Sequence, residues 1–523
     1  MNKKLLIIFL CACTIVGFVS GVHARILGDI VTDAKNSIVF DNKKIKDIDI
    51  KKISDKSSEV YLTKDGFGIG FTSAGEVTLN YKDIRIYNKG LSGFVAYDKD
   101  NPKKLYIFEP TKISKTSLLA SCKELGANIK FDINSNKDCI EFNGKLDCDK
   151  DENLVFAFAI PMDGTTSLNK DVAIWIKDLR RAYECKDATL EYTNAYDDET
   201  SKYPIAAMLT SSYSIAIANT PSSTTIGRFF YSPSAKSLVS SYDVNLKANK
   251  GCDISFVVYK FAYEWGFRGA YKKYTDIFPE AFTSKINIRG NGAYNLSAED
   301  AKDLKVEFLF GGDNNKFICF NNENEFFNNS EYKTKVLKNI SGTSFIPSMT
   351  FDGYYYNPTF YNGDKFELPN DEELCYIKTL AGNKPIFLEI GNLNEKDLQA
   401  VLSMATFYGM NISFSKDFNF VNNRTLIRKY VSHIDTITKA TWQPISMCES
   451  NNSNVYTEKY TDSSTNYVLA FNASGIRRAA SVIIYDLKNE ENITNIVDNS
   501  KYPVKNNSLN VVLNPYQVAI FKY

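Results

Sequence analysis

Around residues 265–278 the spacing of apolar positions changes from a period of two to a helical one, and that switch divides the chain. Phe267, Ala270, Tyr271, Tyr274, Ile277 and Phe278 fall on one helical stripe. Arg268, Lys272, Lys273 and Asp276 lie off it, and Pro279 ends it. Before this linker helix (261–284), residues 37–260 form a series of short apolar runs broken by Asn, Asp, Gly, Ser and Pro. Examples are 60–62, 67–71, 77–81, 105–108, 154–160, 172–176, 205–209 and 254–259. That pattern predicts a large antiparallel β-sandwich. After the linker, residues 286–424 alternate strand-like pieces (286–288, 306–310, 317–320, 345–351, 385–390, 410–414) with a helix over 397–408, as a parallel α/β layer would. Residues 425–523 return to strands and predict a small C-terminal β-sandwich. The expected class is multidomain α+β.

The N-terminus adds a different constraint. Lys3 and Lys4 precede an uncharged apolar run over 5–19, and Val22-His23-Ala24 follows with small residues at a cleavage position. This is the three-part plan of a secretory signal covering 1–24. The run is shorter than the ~20 apolar residues of a spanning helix, and no later stretch is long and apolar enough, so no transmembrane segment is expected in the mature chain. Leu10-Cys11-Ala12-Cys13 offers an alternative, with a lipid anchor on Cys13. The protein is expected to be exported, to a periplasmic, cell-surface or extracellular location.

Charge and composition exclude several chemistries. The net charge is +1 with both signs interspersed, so nothing points to nucleic acid or an anionic membrane. Of two histidines, His23 falls in the leader. His433 alone remains, too few for a histidine-rich zinc site, and it reads as an ordinary half-buried residue. Eight cysteines lie beyond the leader and none forms a C-x-x-C pair. Neither a metal nor a cofactor is expected. Gly311-Gly312-Asp313 lacks the spacing of a nucleotide fingerprint and reads as a turn. Cys139 and Cys148 flank Ile140-Glu141-Phe142-Asn143-Gly144-Lys145-Leu146-Asp147. A type I′ turn centred on Asn143-Gly144 would place the two cysteines opposite each other, so a Cys139–Cys148 disulfide is expected across a hairpin.

Trp265-Gly266-Phe267-Arg268, with Tyr274 and Phe278-Pro279-Glu280-Ala281-Phe282 beyond, resembles a group of bacterial glycoside-hydrolase-like proteins. Tyr203-Pro204-Ile205 and the segment 221–231 fit the same group, as do Ala440-Thr441-Trp442-Gln443-Pro444 and Val512-Leu513-Asn514-Pro515-Tyr516-Gln517-Val518. The resemblance implies an N-terminal galactose-mutarotase-like β-sandwich, a TIM-type barrel and a C-terminal β-domain, acting on carbohydrate. A full eight-fold barrel takes about 250 residues, whereas the stretch 286–424 offers only about 140. The barrel is therefore expected to be shortened.

Glycoside cleavage needs two carboxyl groups facing each other across the sugar, and barrels carry such groups at the C-terminal ends of strands. Asp352, following the run 345–351, and Glu389, near the end of 385–390, are the expected catalytic pair, with Glu307 third. Acidic residues at strand ends also cap helices or pair with lysine. The aromatic run Tyr354-Tyr355-Tyr356 and Tyr361 beyond it suit a substrate-binding surface, because sugar rings stack their C–H faces on aromatic rings. The same rings would equally plug a shortened barrel. Two functions follow: a secreted glycoside hydrolase, or a non-catalytic glycan-binding or surface protein on a degenerate glycosidase scaffold.

Overall fold

The computed structural model describes residues 60–523 except for internal stretches, the longest being 163–173, 185–191, 194–200, 311–317, 321–335 and 340–350; within 307–350 it describes only the backbone of strands. The signal region, Cys13 and the Gly311-Gly312-Asp313 turn lie outside the described residues. Among the described residues no helix is long and apolar enough to cross a membrane. The chain divides after Phe278 into two compact units.

The first unit is a β-sandwich. A nine-stranded and a six-stranded antiparallel sheet face each other, with a separate four-stranded sheet from Val60–Leu62 to Ile84–Ile86. Alternate residues of the facing strands point into one phenylalanine-rich core. Phe142 stacks on Phe256 at 4.7 Å, Phe158 on Phe256 at 5.0 Å and Phe94 on Phe131 at 4.9 Å. Such rings each bury 150–250 Å², which is how a chain broken by so many turns secures its core. The linker helix α1 (Phe267–Ile277) lays its stripe on this sandwich. Tyr274 donates to the Asn219 carbonyl at 2.7 Å, and Tyr259 donates to the Ala270 carbonyl at 3.0 Å. Arg268, off the stripe by sequence, is buried as well.

The expected Cys139–Cys148 hairpin does not form. Residues Ile140–Cys148 run straight through Asn143-Gly144 as one strand, hydrogen-bonded to Ala127–Ser135 on one side and Cys252–Tyr259 on the other. Nine residues of extended chain separate the cysteines by roughly 30 Å, and neither is in a disulfide. Gly144 serves a different purpose from turning. It lies opposite Phe131, whose ring would stand 2.2 Å from a β-carbon added there. The glycine makes room for an aromatic neighbour. Ile140 pairs instead with Ser135, which makes the two strands antiparallel neighbours.

Among the described residues the second unit contains seven parallel strands: β1 (Asn291–Tyr294), β2 (Val306–Phe310), β3 (Ile318–Phe320), β4 (Val336–Asn339), β5 (Gly353–Tyr356), β6 (Ile386–Ile390) and β7 (Asn411–Phe414). Their hydrogen-bonded order is β2-β1-β7-β6-β5-β4-β3, so the first strand pairs with the last, as in a β/α barrel. Helices α2 (Asp371–Ala381) and α3 (Glu395–Tyr408) join β5 to β6 and β6 to β7, and α4 (Phe420–Lys439) follows β7. Asn370, Asn394 and Asn419 cap the three helices by accepting from the third residue beyond.

Sequence reasoning located β2, β3, β6, β7 and α3 but missed β1, β4, β5, α2 and α4; the strand expected at 286–288 lies outside the described residues. The aromatic run 354–356, expected as a loop, is itself strand β5, because rings covered on both faces of a parallel sheet suit β structure. The boundary expected at 424/425 falls inside α4, and β structure resumes at Thr441–Gln443. Beyond it, a six-stranded and a three-stranded antiparallel sheet enclose Val468, Ala470, Val482, Ile484, Val511 and Phe521.

The C-terminal sheets are fixed to α2 and α3 by a buried polar seam. Lys378 of α2 lies 5.5 Å from the Trp442 ring centre and 5.4 Å from that of Tyr460. Glu458, 3% exposed, accepts from the Trp442 indole at 3.0 Å. Tyr460 donates to the Phe407 carbonyl at 3.0 Å, and Phe407 stacks on Phe471 at 5.3 Å. Burial pushes the Lys378 ammonium down to about 8, against the opposing pull of Glu458.

Two outcomes are expected. After unfolding without reductant, Cys139 and Cys148 should both react with an alkylating agent; protection of either would restore the disulfide. The second concerns Lys378. Between pH about 8 and its ordinary 10.5, the unfolded chain holds the lysine proton and the folded chain has released it. The Lys378 contribution to stability therefore rises with pH through that window, by up to about 3 kcal/mol. Denaturant unfolding of wild type and Lys378→Met at pH 7 and pH 10 checks this. The difference should shift in favour of wild type at the higher pH, and a constant difference would mean that the lysine keeps its ordinary basicity.

Candidate functional site

A parallel strand buried on both faces has few places for a charged side chain. In β6, Ile386, Phe387, Leu388 and Ile390 are fully buried, and Glu389, next to last, is the one charge. The alternation of a strand sends Ile386, Leu388 and Ile390 to one side and Phe387 with Glu389 to the other.

The neighbouring strands share this division. Tyr356 of β5 donates to Glu373 of α2 at 2.7 Å, so Tyr354 and Tyr356 face the helices. Burial, with the Glu373 hydrogen bond, raises the Tyr356 phenol far above its ordinary range. Tyr355 points the other way and donates to Glu389 Oε2 at 2.6 Å. On β7, Ser413 is level with Glu389. Its hydroxyl is fully buried with no hydrogen-bond partner among the described residues. Beyond it on β1 comes Gly292, which adds no side chain. Tyr355, Glu389 and Ser413 thus form a polar group on the non-helix face, near the C-terminal ends of their strands.

Asp352 is not part of this group. It immediately precedes β5, and the register of Tyr354 with Ile386 places it level with Lys384. Five strand positions, roughly 16 Å, separate that level from Glu389. The two carboxyls expected as a facing pair stand at opposite ends of the sheet. The run 345–351 that suggested otherwise lies outside the described residues except for Phe351, and Glu307 is described only by its backbone.

The aromatic residues are also separated. Tyr355 stands beside Glu389, whereas Tyr354 and Tyr356 belong to the helix side. Tyr361 lies on the loop after β5, in a two-strand hairpin with Lys365–Phe366, and donates to Asp397 Oδ2 at 2.7 Å at the start of α3. Asn394 donates to the same oxygen at 2.5 Å. The loops after β6 and β7 are joined through Asn392, which donates to the Asp417 carbonyl and accepts from the Asn419 amide at 2.7 Å.

Sequence reasoning missed Ser413. Its signal was the alternation of Asn411 and Ser413 with Ile412 and Phe414 in an otherwise buried strand. His433 sits half-buried on α4, where burial and the nearby Lys429 and Lys305 charges lower its basicity. Among the described residues no cluster of His, Cys, Asp and Glu has the makings of a metal site.

No protein-family model matches the chain, and no curated protein does. Solved structures do. The alpha-galactosidase from Lactobacillus brevis is 9% identical with a TM-score of 0.50, the match covering 89% of this chain and 97% of that one. The GH36 alpha-galactosidase of Geobacillus stearothermophilus, solved with 1-deoxygalactonojirimycin, is 7% identical at a TM-score of 0.49, over 89% and 100% of the two chains. At such identities the likeness is one of fold, and what the Lactobacillus brevis match gives this chain is a glycoside-hydrolase-like, β-sandwich-containing architecture.

Proposed function

We propose that this protein is an exported, carbohydrate-binding member of the glycosidase-like architecture. Its glycan site lies at the C-terminal edge of the parallel strands, and its barrel is shortened. The observation that carries the reading is Glu389, held by Tyr355 at 2.6 Å and level with the Ser413 hydroxyl, which has no hydrogen-bond partner among the described residues. A carboxylate fixed through one oxygen keeps the other as an acceptor for sugar hydroxyls, and a buried serine hydroxyl is stabilised by a polar ligand that reaches it. The Tyr355 ring adds an apolar wall beside them.

Binding is favoured over hydrolysis by the placement of Asp352, since a carboxyl pair for glycoside cleavage stands about 5 to 10 Å apart. Export is inferred from the leader over 1–24, with a lipid on Cys13 as its alternative form.

The test combines affinity electrophoresis in gels containing galactomannan, xylan, starch or dextran with an assay for released reducing ends. Wild type should be retarded by at least one polysaccharide. Glu389→Gln should weaken that retardation about ten-fold, the loss of one charge-assisted hydrogen bond, and Tyr355→Phe by less. Unchanged retardation in Glu389→Gln would remove the site from this position. Release of reducing ends that vanishes in Glu389→Gln would instead make the protein a hydrolase with Glu389 in its chemistry.

A further inference from the structure

We propose that the C-terminal β-domain contributes to the glycan site: Tyr516, with Phe366 and Tyr361, forms an aromatic platform for a neutral oligosaccharide at the outer end of the parallel strands. The inference rests on the carbohydrate reading above and extends it to residues of a second domain. Tyr361 and Phe366 face each other across the hairpin that follows β5, with ring centres 5.9 Å apart, and Phe366 meets Tyr516 at 6.4 Å. All three are only partly buried. They are held edge to face, 67° and 84° between planes, which leaves flat ring surface for the C–H faces of sugars.

The backbone at Tyr516 is what sets this contact apart from incidental surface packing. Asn514-Pro515-Tyr516-Gln517 is a tight turn in which the Gln517 amide donates to the Asn514 carbonyl at 3.1 Å. Proline precedes a residue with φ of 54°, an arrangement that ordinarily takes glycine or asparagine at this position. A bulky side chain there is strained. Glycine would fold more easily, and the tyrosine's main contribution is a ring set against Phe366.

The polar surroundings fit a sugar better than an apolar partner. Asp397 and Asn394 engage the Tyr361 hydroxyl, and the Lys365–Glu367 pair, at 2.5 Å, lies beside Phe366. Carboxylates and amides alternating with ring faces can meet both the hydroxyls and the C–H faces of one chain. The platform lies on connections that leave the same end of the sheet as Glu389. Tyr361 stands on the loop after β5, and Asn394 and Asp397 on the connection from β6 into α3.

Tyr516→Gly separates function from folding, because glycine relieves the turn while removing the ring. The full-length protein would be compared with Tyr516→Gly, Phe366→Ala and Glu389→Gln by affinity electrophoresis in galactomannan, xylan, starch and dextran gels, with Tm measured alongside. The expected result is that Tyr516→Gly keeps or raises the Tm and loses at least ten-fold in retardation, with Phe366→Ala losing a similar factor. Retardation unchanged in Tyr516→Gly, or no retardation of wild type in any of the four gels, would overturn the platform. Loss in Glu389→Gln with Tyr516→Gly unaffected would overturn the platform alone; the reverse pattern would support it and overturn the Glu389 site.

Discussion

The pairing of β1 with β7 is the contact on which the second unit depends. It is short, with Gly292 opposite Ser413 and Ala293 opposite Phe414, and two buried asparagines extend it. Asn291 of β1 accepts from the Ile412 amide at 3.1 Å, and Asn411 of β7 accepts from the Gly290 amide at 3.1 Å. Each satisfies a backbone donor that two short parallel strands would otherwise leave buried and unpaired. The outer helices repeat the closure: Arg428 of α4 makes a two-pronged bond to Asp303, and Arg424 pairs with Asp300 and Asp303. These ion pairs are partly exposed and worth little singly. Their role is to keep the short helix Ala298–Asp303, between β1 and β2, in step with α4. With the register so fixed, alternation decides that Glu389, Ser413 and Tyr355 share a face.

The seam between α2, α3 and the C-terminal sheets follows a different logic. A buried lysine and glutamate contribute little net stability compared with apolar residues of the same size, but removing either partner leaves a buried charge uncompensated. The Lys378–Glu458 pair with its Trp442 and Tyr460 rings therefore specifies one docking arrangement. Tyr460 adds to this from the other side, since a side chain at Gly409 would meet its ring at 2.8 Å. The same docking carries the Asn514–Gln517 turn on which Tyr516 is presented to Phe366.

Much of the fold was legible. The helical stripe of α1 and most strands of the sandwich follow from local spacing, because a period of two or of 3.6 is written in neighbouring residues. Strand β5 was not legible as a strand, since Gly353-Tyr354-Tyr355-Tyr356 carries no alternation when both faces are covered. Helix α4 was missed because its buried positions, among them Ile427, Tyr430, Val431, Ile434 and Ile437, are diluted by polar residues over five turns.

The sequence by itself determined where strands and helices could form, the division at the linker helix, and the presence of one carboxylate in the apolar strand β6. It did not determine partners. Asn143-Gly144 has the composition of a turn, and only the ring of Phe131 above Gly144, brought there by a neighbouring strand, makes it the middle of a strand. Asp352 and Glu389 looked equivalent as acids at strand ends, yet the pairing of Tyr354 with Ile386 puts them at opposite ends of the sheet. Local spacing fixes which face a side chain takes relative to its own strand. Which residues meet across strands depends on hydrogen-bond register, and that is set only when distant segments pair.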